Sequence, residues 1–252
     1  MAFRSRALLS KMVAENLQKI KATIPEGVQL VAVSKYHPAE ALQEAYDAGQ
    51  RVFGESRENE LKLKVEALPQ DIEWHFIGHL QTNKVKYLAP VVSLIHSIDT
   101  ERLLDEVEKQ GIRFADERKQ RFATTPALAD GRIPVLLQLH VAQEETKSGF
   151  TPDELISLLS HNTIAERWPH VKLCGLMGMA SFVDDAEQWR REFRQIMACH
   201  QALLDGPLKA QGIGKEQFGT LSFGMSEDYQ VAIEEGSNMV RVGTAIFGAR
   251  QY

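Results

Sequence analysis

Residues 28–35 read VQLVAVSK, an apolar run that ends in a serine and a lysine just before the turn-prone YHP at 36–38. Runs without polar alternation belong to strands buried on both faces, the habit of a parallel sheet covered by helices. Seven further short apolar runs follow: RVFGE (51–55), EWHFIG (73–78), LIHSID (94–99), VLLQLHV (135–141), LCGLMGM (173–179), TLSFGM (220–225) and MVRVGTAIF (239–247). Between them, 38–49, 55–68, 81–89, 100–124, 152–160, 184–205 and 226–235 carry a helical period. The first of these opens at Pro38 and closes at Gly49, the residues that favour those two helix ends.

Eight strand–helix units in 252 residues predict an α/β chain folded as one closed (β/α)8 barrel, a single domain over 1–252 rather than an open doubly wound sheet. The chain stops at Tyr252, directly after the eighth strand, which leaves no room for an eighth crossover helix. Leu8, Met12, Ala14, Leu17 and Ile20 recur at roughly helical spacing, so an extra helix over 5–23 is expected to fill that place in the outer ring. The charged stretch 109–133, which contains TTPALADGR, is expected to be an exposed excursion.

Composition narrows the function. The chain is 44% hydrophobic and 25% charged, with a formal net charge of -5, so it has no field to hold nucleic acid or an anionic membrane. The basic cluster RFADERKQR at 113–121 is interrupted by acids and reads as a solvated helix face. Cys174 and Cys199 show neither CxxC spacing nor a disulfide framework, which points to a reducing, cytoplasmic location. The first twenty residues hold no acid before Glu15, yet they carry neither the apolar region nor the cleavage site of a leader. No run approaches the roughly 18 apolar residues of a membrane-spanning helix. His75 and His79 are four apart in a strand and loop, where that spacing does not make a metal pair, and no metal is expected.

Barrels of this kind carry their chemistry at the carboxyl ends of the strands. The residues there are Lys35, Glu55 with Ser56, Gly78 with His79, Asp99, His140, Met179, Met225 with Ser226, and Arg241 through Thr244. Alternation puts Val31, Val33 and Lys35 on one face of the first strand; if the valines fill the interior, Lys35 rises into the mouth. A partly desolvated amine there is a nucleophile toward carbonyls, although a lone lysine at a strand end also serves simply to reach water. In LSFGMSEDYQVAIEEG (221–236), Ser226 is expected to cap a helix running to Glu235 whose first amides suit a phosphate, with Glu227 and Asp228 opposing that anion unless turned away. RVGT (241–244) adds a fixed cation, a glycine and a hydroxyl. An amine on strand one facing a phosphate cradle on strands seven and eight calls for a phosphorylated aldehyde.

These segments resemble a known family. VAVSKYHPAE, FGESRENE, HFIGHLQTNK, HSIDT, ETKSGF, GLMGMA and LSFGMSEDY…AIEEGSNMVRVGTAIFG are similar, in order and spacing, to the pyridoxal-phosphate homeostasis proteins, which share the fold of the alanine racemase amino-terminal domain. The resemblance runs from about residue 28 to the carboxyl terminus. It implies pyridoxal 5′-phosphate as the cofactor, held as a Schiff base by Lys35. It implies a phosphate site at Ser222, Met225, Ser226, Arg241, Gly243 and Thr244, and Val33 and Met179 are taken to pack against the cofactor. Ser56, Arg57, His79 and His140 stand where the family usually has asparagine, tyrosine, proline and asparagine.

The implied role is a cytoplasmic carrier and buffer of the cofactor, monomeric rather than dimeric, with apo-enzymes as recipients. The inward cation Arg241 disfavours a protonated pyridine ring, and a ring without that proton is a weak electron sink. Two other readings stay open at this stage. One is a low-activity amino-acid racemase using Lys35 as one base and His140 or His79 as the other; the second is a Schiff-base aldolase acting on a sugar phosphate.

Overall fold

The computed structural model describes residues 2–143 and 148–249, with side chains from residue 12 onward. The opening helix is α1 (Ala2–Thr23). The first half continues as β1 (Gln29–Val33), α2 (Ala39–Asp47), β2 (Val52–Glu55), α3 (Glu58–Ala67), β3 (Glu73–Phe76), α4 (Val85–Leu88), β4 (Leu94–Ile98) and α5 (Glu101–Arg121). The second half is β5 (Ile133–Gln138), α6 (Pro152–His161), α7 (Ile164–Arg167), β6 (Val171–Met177), α8 (Ala186–Asp205), α9 (Pro207–Ala210), β7 (Thr220–Ser222), α10 (Tyr229–Glu234), β8 (Met239–Val242) and α11 (Thr244–Phe247).

The eight strands close in sequence order, all parallel, with β8 returning to β1. Val31 lies beside Arg241 in that last seam, so both point into the barrel. The interior holds a layer of Val31, Val52, Leu94, Leu136, Met177 and Met239. Leu30, Ala32, Phe53, Trp74 and their counterparts face the opposite way, into the larger core under the helices. That split is the alternation expected for β1, and it fixes which residues of each strand face the barrel interior.

Three elements differ from expectation. The opening helix does pack between α2 and α11, but it buries Val13 and Leu17 while Met12 is exposed; the Leu8 side chain lies outside the described set. The run MVRVGTAIF divides at Gly243 into β8 and the short α11, because an apolar β-branched run does not distinguish strand from helix. The stretch 109–121 is no excursion but the second half of α5. Arg118, within its basic cluster, is fully buried and donates to the carbonyls of Ala89 (2.5 Å), Val92 (2.9 Å), Gly131 (3.1 Å) and Arg132 (3.1 Å). Among the described residues no helix is long and apolar enough to cross a membrane.

Candidate functional site

A cavity of about 250 Å³ opens at the carboxyl ends of the strands. Its walls include Lys35, Val33, Met179, Met225, Ser226, Arg241, Gly243 and Thr244, all named from sequence. The structure adds His37, Ile77, Ala180, Ser181, Phe182, Val183 and Trp189, and Glu227 and Asp228, the two acids named at this rim, also line it. Lys35 therefore stands across a single opening from the ends of β7 and β8.

Arg241 forms part of the floor. It is 4% exposed, and its Nη1 donates to Ser222 O (2.8 Å) and Ser222 Oγ (2.6 Å) while Nη2 donates to Gly178 O (3.0 Å). Ser222 does not line the cavity as expected: β7 ends there with the side chain fully buried inside the barrel, beneath Arg241. From Ser222 Oγ the contacts pass to His96 Nδ1 (3.0 Å) and from His96 Nε2 to His75 Nδ1 (3.0 Å). A guanidinium only donates, so Ser222 accepts from Arg241, and one proton is shared at each of the two links that follow, Ser222–His96 and His96–His75. Burial lowers the His75 pKa to about 3 and holds His96 well below its ordinary value, His75 and Arg241 adding to the effect on His96. Burial also lowers Arg241 to about 10, with Asp228 pulling the other way. At neutral pH the floor holds one cation and two uncharged rings.

The rim on β7 and β8 is built of turns. Gly224 has φ +97°, and a Cβ there would lie 2.5 Å from the Ala232 side chain, so only glycine lets the loop close onto α10. Ser226 is not the helix cap: α10 begins at Tyr229, and Ser226 Oγ accepts the Gly243 N–H (3.3 Å), tying the two loops together. Asp228 lines the opening, but its Oδ1 is engaged by the Met225 N–H (2.5 Å); burial raises its pKa, and the Met225 N–H and Arg241 oppose the rise. Among the described residues, the backbone N–H groups of Ser226, Glu227, Thr244 and Ala245 have no acceptor. Successive unpaired amides of this kind suit an anion.

The other candidates separate from this cavity. Glu55 points outward, between β2 and α3, where Oε1 accepts from Ser34 Oγ (2.5 Å) and Lys64 Nζ (2.7 Å). His79 is exposed and its Nδ1 lies 3.3 Å from Asp99 Oδ2. His140 Nε2 is buried without a hydrogen-bond partner among the described residues. Gly78 is needed where it stands, since a Cβ would lie 2.3 Å from Ser56 O. Of the ETKSGF motif, 145–147 lie outside the described residues. No group of three or more metal-ligating side chains comes together among the described residues.

The model of the alanine racemase N-terminal domain matches residues 10–251. The pyridoxal phosphate homeostasis protein of Aquifex aeolicus is 38% identical over 244 residues, spanning 95% of this chain and 96% of its own length. The chain belongs to the pyridoxal phosphate homeostasis protein family. Its human member is 34% identical over 255 residues, spanning 96% of this chain and 86% of its own length. PipY of Synechococcus elongatus PCC7942, solved with PLP bound, superimposes with a TM-score of 0.76 at 32% identity, covering 94% of this chain and all of that one. Alanine racemase of E. faecalis, at 19% identity and a TM-score of 0.67, shares the fold over 58% of its length. The departures from the usual family motifs at His79 and His140 do not line the cavity, nor do Ser56 and Arg57.

Proposed function

We propose that this chain binds pyridoxal 5′-phosphate, holds it as a Schiff base on Lys35 and acts in cytoplasmic homeostasis of that cofactor, storing the aldehyde and delivering it to apo-enzymes without strong turnover of its own. One observation carries the reading: Lys35 shares one cavity with Ser226, Glu227 and Thr244, whose backbone N–H groups have no acceptor among the described residues. The donor set fits the group. Lys35 supplies the nucleophile, the amides of Ser226, Glu227 and Thr244 with the Ser226 and Thr244 hydroxyls meet the phosphate, and Val33 and Met179 offer apolar walls to the ring. Bound pyridoxal phosphate supplies an electrophilic aldehyde carbon. Names of relatives support the same reading, as does the PLP found in PipY.

Arg241 borders the cavity and stays a cation at neutral pH, which disfavours a protonated pyridine ring and so supports weak turnover. Racemisation needs a second base opposite Lys35, and neither His79 nor His140 lines this cavity. The whole chain, 1–252, is taken to work as one domain and as a monomer.

The test mixes purified protein with pyridoxal phosphate, then with an apo-enzyme that depends on it. Visible absorbance should appear, vanish in Lys35→Ala, and pass to the apo-enzyme, while enantiopure amino acids keep their configuration. Racemisation at ordinary enzymic rates would overturn the carrier reading, and a colourless protein that cleaves a sugar phosphate would favour the aldolase.

A further inference from the structure

Lys35 sits between two residues that are both tied to a charged cluster outside the barrel. On one side, the Ser34 hydroxyl donates to Glu55 Oε1 (2.5 Å), and the Ser34 carbonyl accepts from Lys64 Nζ (2.9 Å) and from the His37 N–H (3.1 Å). On the other, the Tyr36 N–H donates to Glu60 Oε2 (2.8 Å). Lys64 Nζ joins the two halves, 2.7 Å from Glu55 and 3.6 Å from Glu60.

Tyr36 has φ +67°, the only non-glycine residue with positive φ among those described. A bulky L-residue holds that conformation only where its surroundings over-determine it. The surroundings here are Glu60 on its N–H and the Arg57 guanidinium 4.6 Å over its ring. The cluster itself is costly: Glu55 is fully buried, and its Oε2 has no hydrogen-bond partner among the described residues. Apolar packing between β2 and α3 would avoid that cost, so the charges are retained for geometry rather than stability.

We propose that Glu60 and Lys64 are positioning residues for Lys35, fixing the carbonyl before it and the amide after it so that its amine enters the cavity at the angle imine formation requires. The inference rests on the cofactor reading above. Condensation joins the Lys35 nitrogen to the aldehyde carbon; both hydrogens of the neutral amine leave with the carbonyl oxygen as one water. Glu60 and Lys64 touch neither partner and act only through the backbone on either side of Lys35.

The experiment compares wild type, Glu60→Ala and Glu60→Gln in uptake of pyridoxal phosphate. It follows the growth of imine absorbance, the visible circular dichroism of the bound chromophore, and the borohydride-fixed mass increase on the peptide containing Lys35. Glu60 is partly exposed, so both variants should fold, and thermal melting runs alongside. Glu60→Ala should take up the cofactor about tenfold more slowly, with altered dichroism, because a small misplacement of a reacting group is expensive. Glu60→Gln should stay within about twofold of wild type, since its amide oxygen still accepts the Tyr36 N–H. Wild-type uptake with Glu60→Ala matching it, or with both variants slowed equally, would overturn the inference and leave the cofactor reading standing. Absence of wild-type uptake at Lys35 would remove both.

Discussion

Two buried polar clusters support the cavity, one on each side of the barrel wall, and they solve the same problem with opposite chemistry. Inside, Arg241, Ser222, His96 and His75 form a chain with a single positive charge, every link made by a hydroxyl or an uncharged ring. Outside, Glu55, Lys64 and Glu60 oppose full charges at short range. The interior cannot adopt the outer solution, because no carboxylate belongs to the chain and a protonated imidazole would face Arg241. The outer cluster instead sets one ammonium between two carboxylates, with burial pushing the Glu55 pKa up and Lys64 and Ser34 opposing the rise. The interior chain anchors the floor of the site, while the outer cluster fixes the turn that carries its amine.

The comparison breaks most visibly if one charge is removed from the outer cluster. Lys64→Met leaves Glu55 buried without its cation and should destabilise by about 3–5 kcal/mol. At this chain length that corresponds to a fall in melting temperature on the order of 10 °C. An unchanged melting temperature would mean that the cluster is not the tight ion pair described.

Acid should reveal the interior chain. His75 has a folded-state pKa of about 3 against an ordinary 6.5, so between those values the unfolded state binds the extra proton. Its contribution is complete above about pH 6.5 and is lost progressively as pH falls toward 3, at up to about 1.4 kcal/mol per pH unit. His75→Asn should flatten the acid limb of a stability–pH curve by about one proton. An unaltered slope would show that His75 titrates in the folded protein.

The smallest effect belongs to the link between the two rim loops. Ser226→Ala removes the acceptor of the Gly243 N–H and one hydroxyl from the cavity. The loss should be about 1 kcal/mol, a roughly fivefold weaker cofactor affinity, with the covalent bond still formed. Equilibrium dialysis against free cofactor measures it.

The barrel was legible because its strands are short apolar runs at regular intervals, and alternation alone sent Val31 and Lys35 the same way. What escaped the sequence depends on contacts between distant segments. Glu60 and Lys64 have the i,i+4 spacing of a surface pair on α3, and nothing local reveals that Lys64 is buried against Ser34 and Glu55. Arg118 sits in a run of charges that implied solvent, yet four carbonyls from two loops draw it inside. Ser222 and Ser226 both fell near the rim by motif. Which of them reaches the cavity was decided by the pleat of β7 and the turn beyond it, and only Ser226 does.

The central claim concerns one amine. Purified protein mixed with pyridoxal phosphate, reduced with borohydride, digested and weighed peptide by peptide should carry a single cofactor-sized mass increase on the peptide containing Lys35, absent from Lys35→Ala. An adduct spread over surface lysines, or one retained in the variant, would contradict the account.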